Sequence, residues 1–300
     1  MLKAVMVTES SEGGGGGGGD REAMILTVAS DIASRLPEMY DMEAAQIKYP
    51  VRWDESMNTV LCQELQRFNN LTALVRKSLH TIQKAVKGLV VMSVELDKLG
   101  SDLFFGRIPV MWKPKSYPSL KALGGYVSDL LLRLSFFNDW FTDKPPAVYW
   151  ISSFFFTQAF LTGAQQNFAR KFTIPIDNVE FDYEVMPASS YRMPPEDGVY
   201  CRGMFLEGAR WDMERMALAE SQPKVLFSLA PIFWFQPKRS EELTTYPHYN
   251  CPLYKTPDRR GILKTTGHSS NFVMFVRVPA VEEQTFWVQR GVCALLDLQE

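Results

Sequence analysis

The chain has 300 residues, 46% of them hydrophobic and 22% charged, and its formal net charge is −2. These values are close to the average for soluble globular proteins, which disfavours wholesale disorder and a membrane-spanning class. Lys and Arg are scattered among Asp and Glu, so no basic face is available for a phosphate backbone and nucleic-acid binding is not expected.

Near the start of the chain, seven consecutive glycines run from Gly13 to Gly19. This composition favours a flexible, solvated linker, and we assign residues 1–19 to it. A phosphate-binding loop is excluded because the run ends in Asp20-Arg21-Glu22 instead of Lys followed by Ser or Thr. The first residues lack the long apolar run and cleavage site of a signal peptide, so none is expected.

Apolar residues then recur at three- and four-residue spacing, which predicts a series of helices. Asp20 is a candidate cap for the first helix, which should end before Pro37, and Ser119 is a candidate cap for the fourth. The predicted helices cover residues 20–36, 57–86, 89–104 and 119–141.

The next segment, Pro145 to Lys171, is densely aromatic and carries no charge between Lys144 and Arg170. It predicts a buried central helix that starts near Pro146, because a proline fits a helix entry and an apolar surface nearly all round indicates enclosure. Polar residues interrupt the run too often for the roughly twenty apolar residues of a transmembrane helix.

Beyond Lys171 the hydrophobic period changes from helical to two residues, which indicates strands. Val179 to Val185 alternates without error, whereas Trp211 to Glu220 looks helical. Further predicted strands cover residues 199–206, 225–235, 249–254, 272–278 and 287–296. The sequence therefore predicts an α+β fold, with an N-terminal helical bundle over residues 20–171 and a C-terminal antiparallel, barrel-like β-sheet over residues 172–300.

Candidate catalytic groups are few, since the chain has three histidines. His80 lies beside the apolar stripe of the long helix and is interpreted as a helix-surface residue. His268 precedes Ser269 and Ser270, which suggests a nucleophile and its base. Adjacent residues rarely reach that geometry, and a turn rich in Ser, Thr and Gly is the favoured interpretation.

Metal binding is also not expected. His248 and Cys251 could supply two ligands, but zinc needs four, or three and a water, and no second pair has suitable spacing. The four cysteines are widely separated, which favours reduced thiols in a cytosolic compartment.

One surface candidate is the segment Glu207 to Asp212, which places a glycine, both charge signs and an indole at a strand exit. The simpler interpretation is a charged turn that caps a helix from Trp211. The functional interpretation is a contact hot spot, because Trp and Arg are enriched at such places.

Several distinctive segments occur in order along the sequence. They include Lys87-Gly-Leu-Val-Val-Met92, Phe154-Phe-Phe-Thr-Gln-Ala-Phe-Leu-Thr-Gly163, Phe205-Leu-Glu-Gly-Ala-Arg-Trp-Asp212, Cys251-Pro-Leu-Tyr-Lys-Thr256 and Thr265-Thr-Gly-His-Ser-Ser-Asn-Phe272. Together they resemble the C-terminal region of dynein heavy chains, the AAA+ microtubule motors, over nearly the whole sequence from about Asp20. The aromatic segment and Gly-Ala-Arg-Trp-Asp are more similar to the axonemal branch than to the cytoplasmic branch.

The resemblance implies a structural and regulatory domain that packs on the face of the six-membered ATPase ring after the last AAA module. Residues 1–19 would then be a linker or the end of that module, and Glu207, Arg210 and Trp211 are candidate ring contacts. The resemblance implies no catalysis and no cofactor in this chain, with ATP and Mg held by the AAA modules of a full heavy chain.

The implied partners are the ring of its own heavy chain and, indirectly, the dynein complex and microtubules, without nucleic acid or membrane. The implied location is the cytoplasm and the axoneme of a cilium or flagellum. The sequence has no Walker motif, no coiled-coil stalk with a microtubule-binding tip and no linker element of the dynein motor. The resemblance therefore indicates the last part of a longer heavy chain or a truncated gene model.

Two other hypotheses stay open at this point. One is an independent hydrolase that uses Ser269 or Ser270 with His268. The other is a stand-alone scaffold with the same fold, which would compete for contacts with the ring.

Overall fold

The computed structural model describes residues 17–259 and 270–298. Its α-helices precede most of its strands, so the predicted α+β class is confirmed. The helices are α1 (Gly17–Arg35), α2 (Met42–Lys48), α3 (Ser56–Val86), α4 (Val94–Phe104), α5 (Leu123–Thr142), α6 (Thr157–Lys171) and α7 (Gln284–Gln289).

Helix α3 is the central element of the helical half. Its apolar stripe from Leu61 to Ile82 is fully buried, because α1, α4 and α6 all pack against it. The predicted long helix is therefore confirmed. Helix α1 begins at Gly17, so Asp20 lies in its first turn rather than at its cap. The predicted linker covers residues 1–19, but residues 17–19 belong to α1, so that part of the prediction is wrong. Residues 1–16 lie outside the described residues.

Two helices start later than their sequences predict. Helix α4 begins at Val94 because the Ser93 hydroxyl accepts a hydrogen bond from the Leu96 N–H at 3.3 Å, as an N-cap does. Helix α5 begins at Leu123, and the predicted cap Ser119 instead donates its hydroxyl to the Asp297 carboxylate at 2.8 Å.

The prediction of a helix from Pro146 to Lys171 is wrong up to Phe156. Val148–Trp150 forms strand β1, residues Ile151–Ser153 form a 3₁₀ turn, and the helix begins only at Thr157. Tertiary contacts decide the outcome, because β1 pairs with a strand of the β half and the Glu64 carboxylate holds the backbone between the turn and α6. The aromatic residues are buried as expected, but in a bend.

The strands form three separate sheets among the described residues. After β1, the strands are β2 (Val179–Val185), β3 (Val199–Arg202), β4 (Phe205–Glu207), β5 (Ala209–Asp212), β6 (Ala217–Glu220), β7 (Phe227–Leu229), β8 (Phe233–Arg239), β9 (His248–Tyr254), β10 (Phe272–Pro279) and β11 (Cys293–Leu295). The four-stranded sheet has the order β1-β3-β8-β2, the five-stranded sheet has the order β10-β9-β11-β4-β7, and β5 pairs with β6.

The prediction of an antiparallel barrel is wrong, because none of these sheets closes on itself. Two pairs, β1 with β3 and β9 with β11, are parallel. A strand that returns through helices or a long connection can join a sheet in parallel, and two-residue alternation in the sequence does not reveal that return. Strand β2 has the predicted bounds.

The segment from Trp211 to Glu220 forms a β-hairpin, so the prediction of a helix there is wrong. The Asp212 carboxylate accepts hydrogen bonds from the N–H groups of Glu214 and Arg215 at 3.0 and 3.2 Å, and Met216 has a φ of 48°. The left-handed backbone at Met216 cannot continue a right-handed helix, so the segment turns back as a hairpin. The predicted strand over residues 287–296 is likewise the end of α7 followed by β11.

Most buried apolar residues of the helices and of the sheets form one continuous core, and Ala169, Ile174 and Val179 form a second, small cluster. None of the helices in the described ranges combines the length and the apolar character that crossing a membrane requires.

Candidate functional site

The predicted contact segment turns sharply between strands β4 and β5. Gly208 has a φ of 74°, a conformation that glycine adopts without strain. Before the turn, the Glu207 carboxylate pairs with the Arg259 guanidinium and lies 3.4 Å from the Cys293 sulfur. After it, Arg210 lies 3.2 Å from the Asp212 carboxylate. The side chains of Glu207 and Arg210 keep 31% and 35% of their surface exposed, so both can reach a partner.

Trp211 has a different environment. Its residue is 8% exposed, and its ring centroid lies 6.4 Å from that of Phe233 in the core. Its indole nitrogen makes no hydrogen bond within the described part of the sequence. Trp211 therefore supports the hairpin from inside, and a partner at this segment would meet Glu207 and Arg210 first. Their role as ring contacts stays a prediction.

The described candidate metal ligands, His248 and Cys251, are not part of a cluster of metal-binding side chains within residues 17–259 and 270–298. His80 is exposed on α3, as predicted. The His248 ring nitrogen Nδ1 lies 2.7 Å from the Tyr246 carbonyl oxygen, and burial raises the pKa of the Cys251 thiol well above its usual range. In residues 17–259 and 270–298, no three side chains of His, Cys, Asp or Glu meet in a geometry that could hold a metal ion.

His268 and Ser269 lie outside the described residues, so their geometry is not tested, and Ser270 is exposed. All four cysteines have free thiols, with Cys62 half-buried and the other three buried.

Arg133 of α5 is a buried cation that joins the two halves of the fold. It pairs with the Asp129 carboxylate at 2.6 Å and donates to the Ser152 carbonyl, and its guanidinium carbon lies 3.9 Å from the centre of the Tyr117 ring. The Ser152 hydroxyl in turn donates to the Gly203 carbonyl of the β half. The helical half thus holds the 3₁₀ turn that directly follows β1.

Glu64 is a buried carboxylate on α3. It accepts hydrogen bonds from the N–H groups of Phe155 and Phe156 at 2.7 and 3.2 Å and pairs with Arg67 at 2.7 Å. Burial raises the pKa of Glu64, against the opposing effect of these hydrogen bonds. The Glu64 carboxylate thus caps the two N–H groups of the bend directly before α6, as an N-cap side chain would.

Asp182 of β2 is the corresponding charged centre of the β half. Lys238 and Arg277 lie 2.8 and 2.6 Å from its carboxylate oxygens. Burial alone would raise the pKa of Asp182, but the hydrogen bonds from Lys238 and Thr244 lower it below the ordinary value. The three strands β2, β8 and β10 are linked at this point.

Sequence reasoning missed these three charged centres. A signal existed for Glu64, because it follows Leu61 by three residues and precedes Leu65 on the buried stripe of α3, where an unpaired charge is costly. Asp182 lies between the buried residues Phe181 and Tyr183, and Arg133 lies one helical turn from the buried Leu130 and Phe137. Their partners come from distant segments, so their roles could not be assigned.

A groove with a volume of about 650 Å³ opens between α3 and α6. Trp53 separates it from a second cavity of about 550 Å³ that Pro145, Pro146, Pro194 and Pro195 line in part. The indole is 69% exposed, and the Arg170 guanidinium lies over its ring at 5.5 Å from the centroid. Within the described residues, neither opening brings an acid, a base and a nucleophile together.

Comparison with known proteins adds an independent finding. The family model for the C-terminal domain of the dynein heavy chain matches residues 1–296. Over 99% of its length, the protein is 49% identical to dynein axonemal heavy chain 12 of Mus musculus, of which it covers 10%. Over 92% of its length, it is 50% identical to dynein axonemal heavy chain 3 of Homo sapiens and 46% identical to dynein axonemal heavy chain 1 of Mus musculus, and it covers 7% of each. The sequence thus spans a tenth or less of the length of these relatives.

Proposed function

Since the protein belongs to the family of C-terminal domains of dynein heavy chains, we propose that it is the C-terminal structural and regulatory domain of an axonemal dynein heavy chain. In this role it packs on the AAA+ ring of its own heavy chain, in a motor that drives ciliary or flagellar movement along microtubules. The observation that carries the proposal is the 46–50% identity to axonemal heavy chains across at least 92% of this sequence.

The domain is not catalytic by itself in this proposal, and ATP and Mg belong to the AAA modules of the full heavy chain. The dispersed histidines and the paired, structural positions of Arg133, Glu64 and Asp182 support this assignment. Each of these charges is used to hold one element of the fold to another. The dynein complex and microtubules are indirect partners, and the location is the axoneme within the cytoplasm.

Packing on the ring is supported by large apolar side chains that remain exposed on the helical half. Exposed apolar surface that adjoins polar residues is typical of protein contact sites. Members of this set include Ile47, Val51, Trp53, Leu89, Val91, Val94, Phe105 and Val110. The half-exposed charges of Glu207 and Arg210 are proposed as additional polar contacts.

The test is deletion of residues 20–300 from a full heavy chain. A structural and regulatory role predicts a changed ATPase rate or a changed stepping force, because a brace on the ring alters how its modules move together. The intact protein and a full-length variant with Met193→Ala, a change at an exposed residue of a loop, serve as controls. If the deletion leaves both quantities at their intact values, the proposal is wrong.

The hydrolase hypothesis receives no support from the described residues, since His268 and Ser269 lie outside them. A hydrolase screen of the 300-residue protein with a His268→Ala control decides it, because activity that this substitution abolishes would favour an enzyme. Sequencing the transcript upstream of Met1 distinguishes a stand-alone scaffold from a part of a heavy chain. An in-frame upstream sequence that encodes AAA modules would support the heavy chain.

A further inference from the structure

Five large apolar side chains are exposed together in the connection between α3 and α4. They are Leu89, Val90, Val91, Met92 and Val94, with exposed fractions between 39% and 86%. We call residues 89–94 the apolar strip. Single exposed apolar residues are ordinary, but a contiguous group indicates a contact site.

The backbone holds the apolar strip away from the core. Helix α3 ends in a Schellman motif, in which the N–H of Leu89 donates to the Lys84 carbonyl at 2.9 Å and the N–H of Gly88 donates to the Ala85 carbonyl at 3.0 Å. Gly88 has a φ of 70°, which the motif requires. At the other end of the strip Ser93 caps α4. Both ends are therefore fixed by the termini of ordered helices.

The main-chain groups in the middle of the strip have no hydrogen-bond partner among the described residues. Within the described ranges, the backbone N–H and carbonyl groups of Val90, Val91 and Met92 make no hydrogen bond. Backbone groups must be satisfied when they are buried. An extended partner segment can satisfy them by strand addition, while the apolar side chains of the strip pack against it.

The position of the strip indicates which partner is within reach. Arg21, in the second turn of α1, donates to the Ser101 hydroxyl at 2.7 Å and lies 3.7 Å from the Asp97 carboxylate. The start of α1 is thus beside α4, whose first residue, Val94, is the last residue of the strip. Asp97 follows Val94 by three positions on α4, which corresponds to a rise of about 4.5 Å along the helix. The polypeptide enters the domain close to the apolar strip.

We propose that the apolar strip is the docking site for an extended apolar segment of the module that directly precedes this domain in the heavy chain. This inference rests on the proposed function, which places such a module before residue 17. The covalent connection through α1 keeps the segment of the preceding module at a high local concentration, so a small contact area is sufficient for docking. Burial of the strip then fixes the orientation of the helical half on its neighbour.

The test uses an intact heavy chain with a photoreactive benzoylphenylalanine at residue 91. Matched positions are Val281 and Val51, which are valines of similar exposure elsewhere on the surface. We expect residue 91 to cross-link to the preceding module, as mapped by mass spectrometry. Cross-links to the AAA modules from residue 51 or 281, with none from residue 91, would overturn the docking site and leave the proposed function intact. No cross-link to any AAA module from any of the three positions would overturn both.

A second variant measures the contribution of the strip without risk to folding, because the Val91 side chain is almost fully exposed in the domain itself. In the heavy chain, Val91→Asp should raise the rate of proteolysis between the preceding module and α1 by about tenfold or more, since burial of a valine is worth at least that factor. Val281→Asp is the control and should leave the rate unchanged. Equal rates for the two variants would contradict the docking site.

Discussion

Replacement of Arg133 by Met tests whether the two halves are held together by a buried charge. The substitution removes the partner of the Asp129 carboxylate and the donor to the Ser152 carbonyl, while the side-chain volume changes little. The Arg133 side chain is 3% exposed. Breaking a buried ion pair costs about 3–5 kcal/mol, because the remaining polar groups stay out of water. We expect the free energy of unfolding of the 300-residue protein to fall by that amount.

A matched control exists in Arg35, which pairs with Asp31 at the same four-residue spacing on α1. Its side chain is 30% exposed and that of Asp31 is 58% exposed, so water can replace the interaction. Arg35→Met should cost about 0.5 kcal/mol or less. Urea unfolding followed by circular dichroism compares the two variants. If their costs lie within about 0.5 kcal/mol of each other, the argument that Arg133 links the halves is refuted.

Three further predictions use the same unfolding assay. Glu64→Ala should cost about 2–4 kcal/mol because two backbone amides lose their acceptor, and a cost below about 1 kcal/mol would exclude the proposed capping role. Gly203→Ala should cost about 2–5 kcal/mol, because φ is 93° and a Cβ would collide with the Trp150 indole. In the control Gly124→Ala, no heavy atom lies within 4 Å of the added Cβ, so the substitution should not destabilise the protein. Asp182 has a lowered pKa, so the stability lost in Asp182→Asn should be full above about pH 3.9 and vanish as the pH falls through the folded pKa. A difference that grows on acidification would contradict this.

Local patterns predicted the elements that bury one face at a regular sequence period, although the segments packed against that face are distant in sequence. The apolar stripe of α3 and the alternation of β2 both define one buried face, and a shift of either would expose that face to water. Those two elements have nearly the predicted bounds. The Glu207 segment was correctly placed at a strand exit, but burial of Trp211 depends on Phe233, which is distant in sequence.

Several of the wrong predictions share one cause, which is that tertiary contacts override local preference. Around Trp150 the sequence favours a helix, yet pairing of β1 with β3 and the contacts of Arg133 and Glu64 hold a strand and a bend. Closure of a barrel depends on how distant strands meet, and the parallel partner of β11 could not be inferred from alternation. The apolar strip was predicted as part of a helix. That it is an exposed connection becomes clear only when the end of α3 and the start of α4 are known.

The most direct measurement for the central claim is an electron cryomicroscopy structure of a full heavy chain that contains this domain. The proposed function predicts that the domain lies on the AAA+ ring, with its helical half in contact and a buried area above about 1,000 Å², as expected for a specific interface. A domain that is tethered to the last AAA module but makes no contact with the ring would contradict the claim.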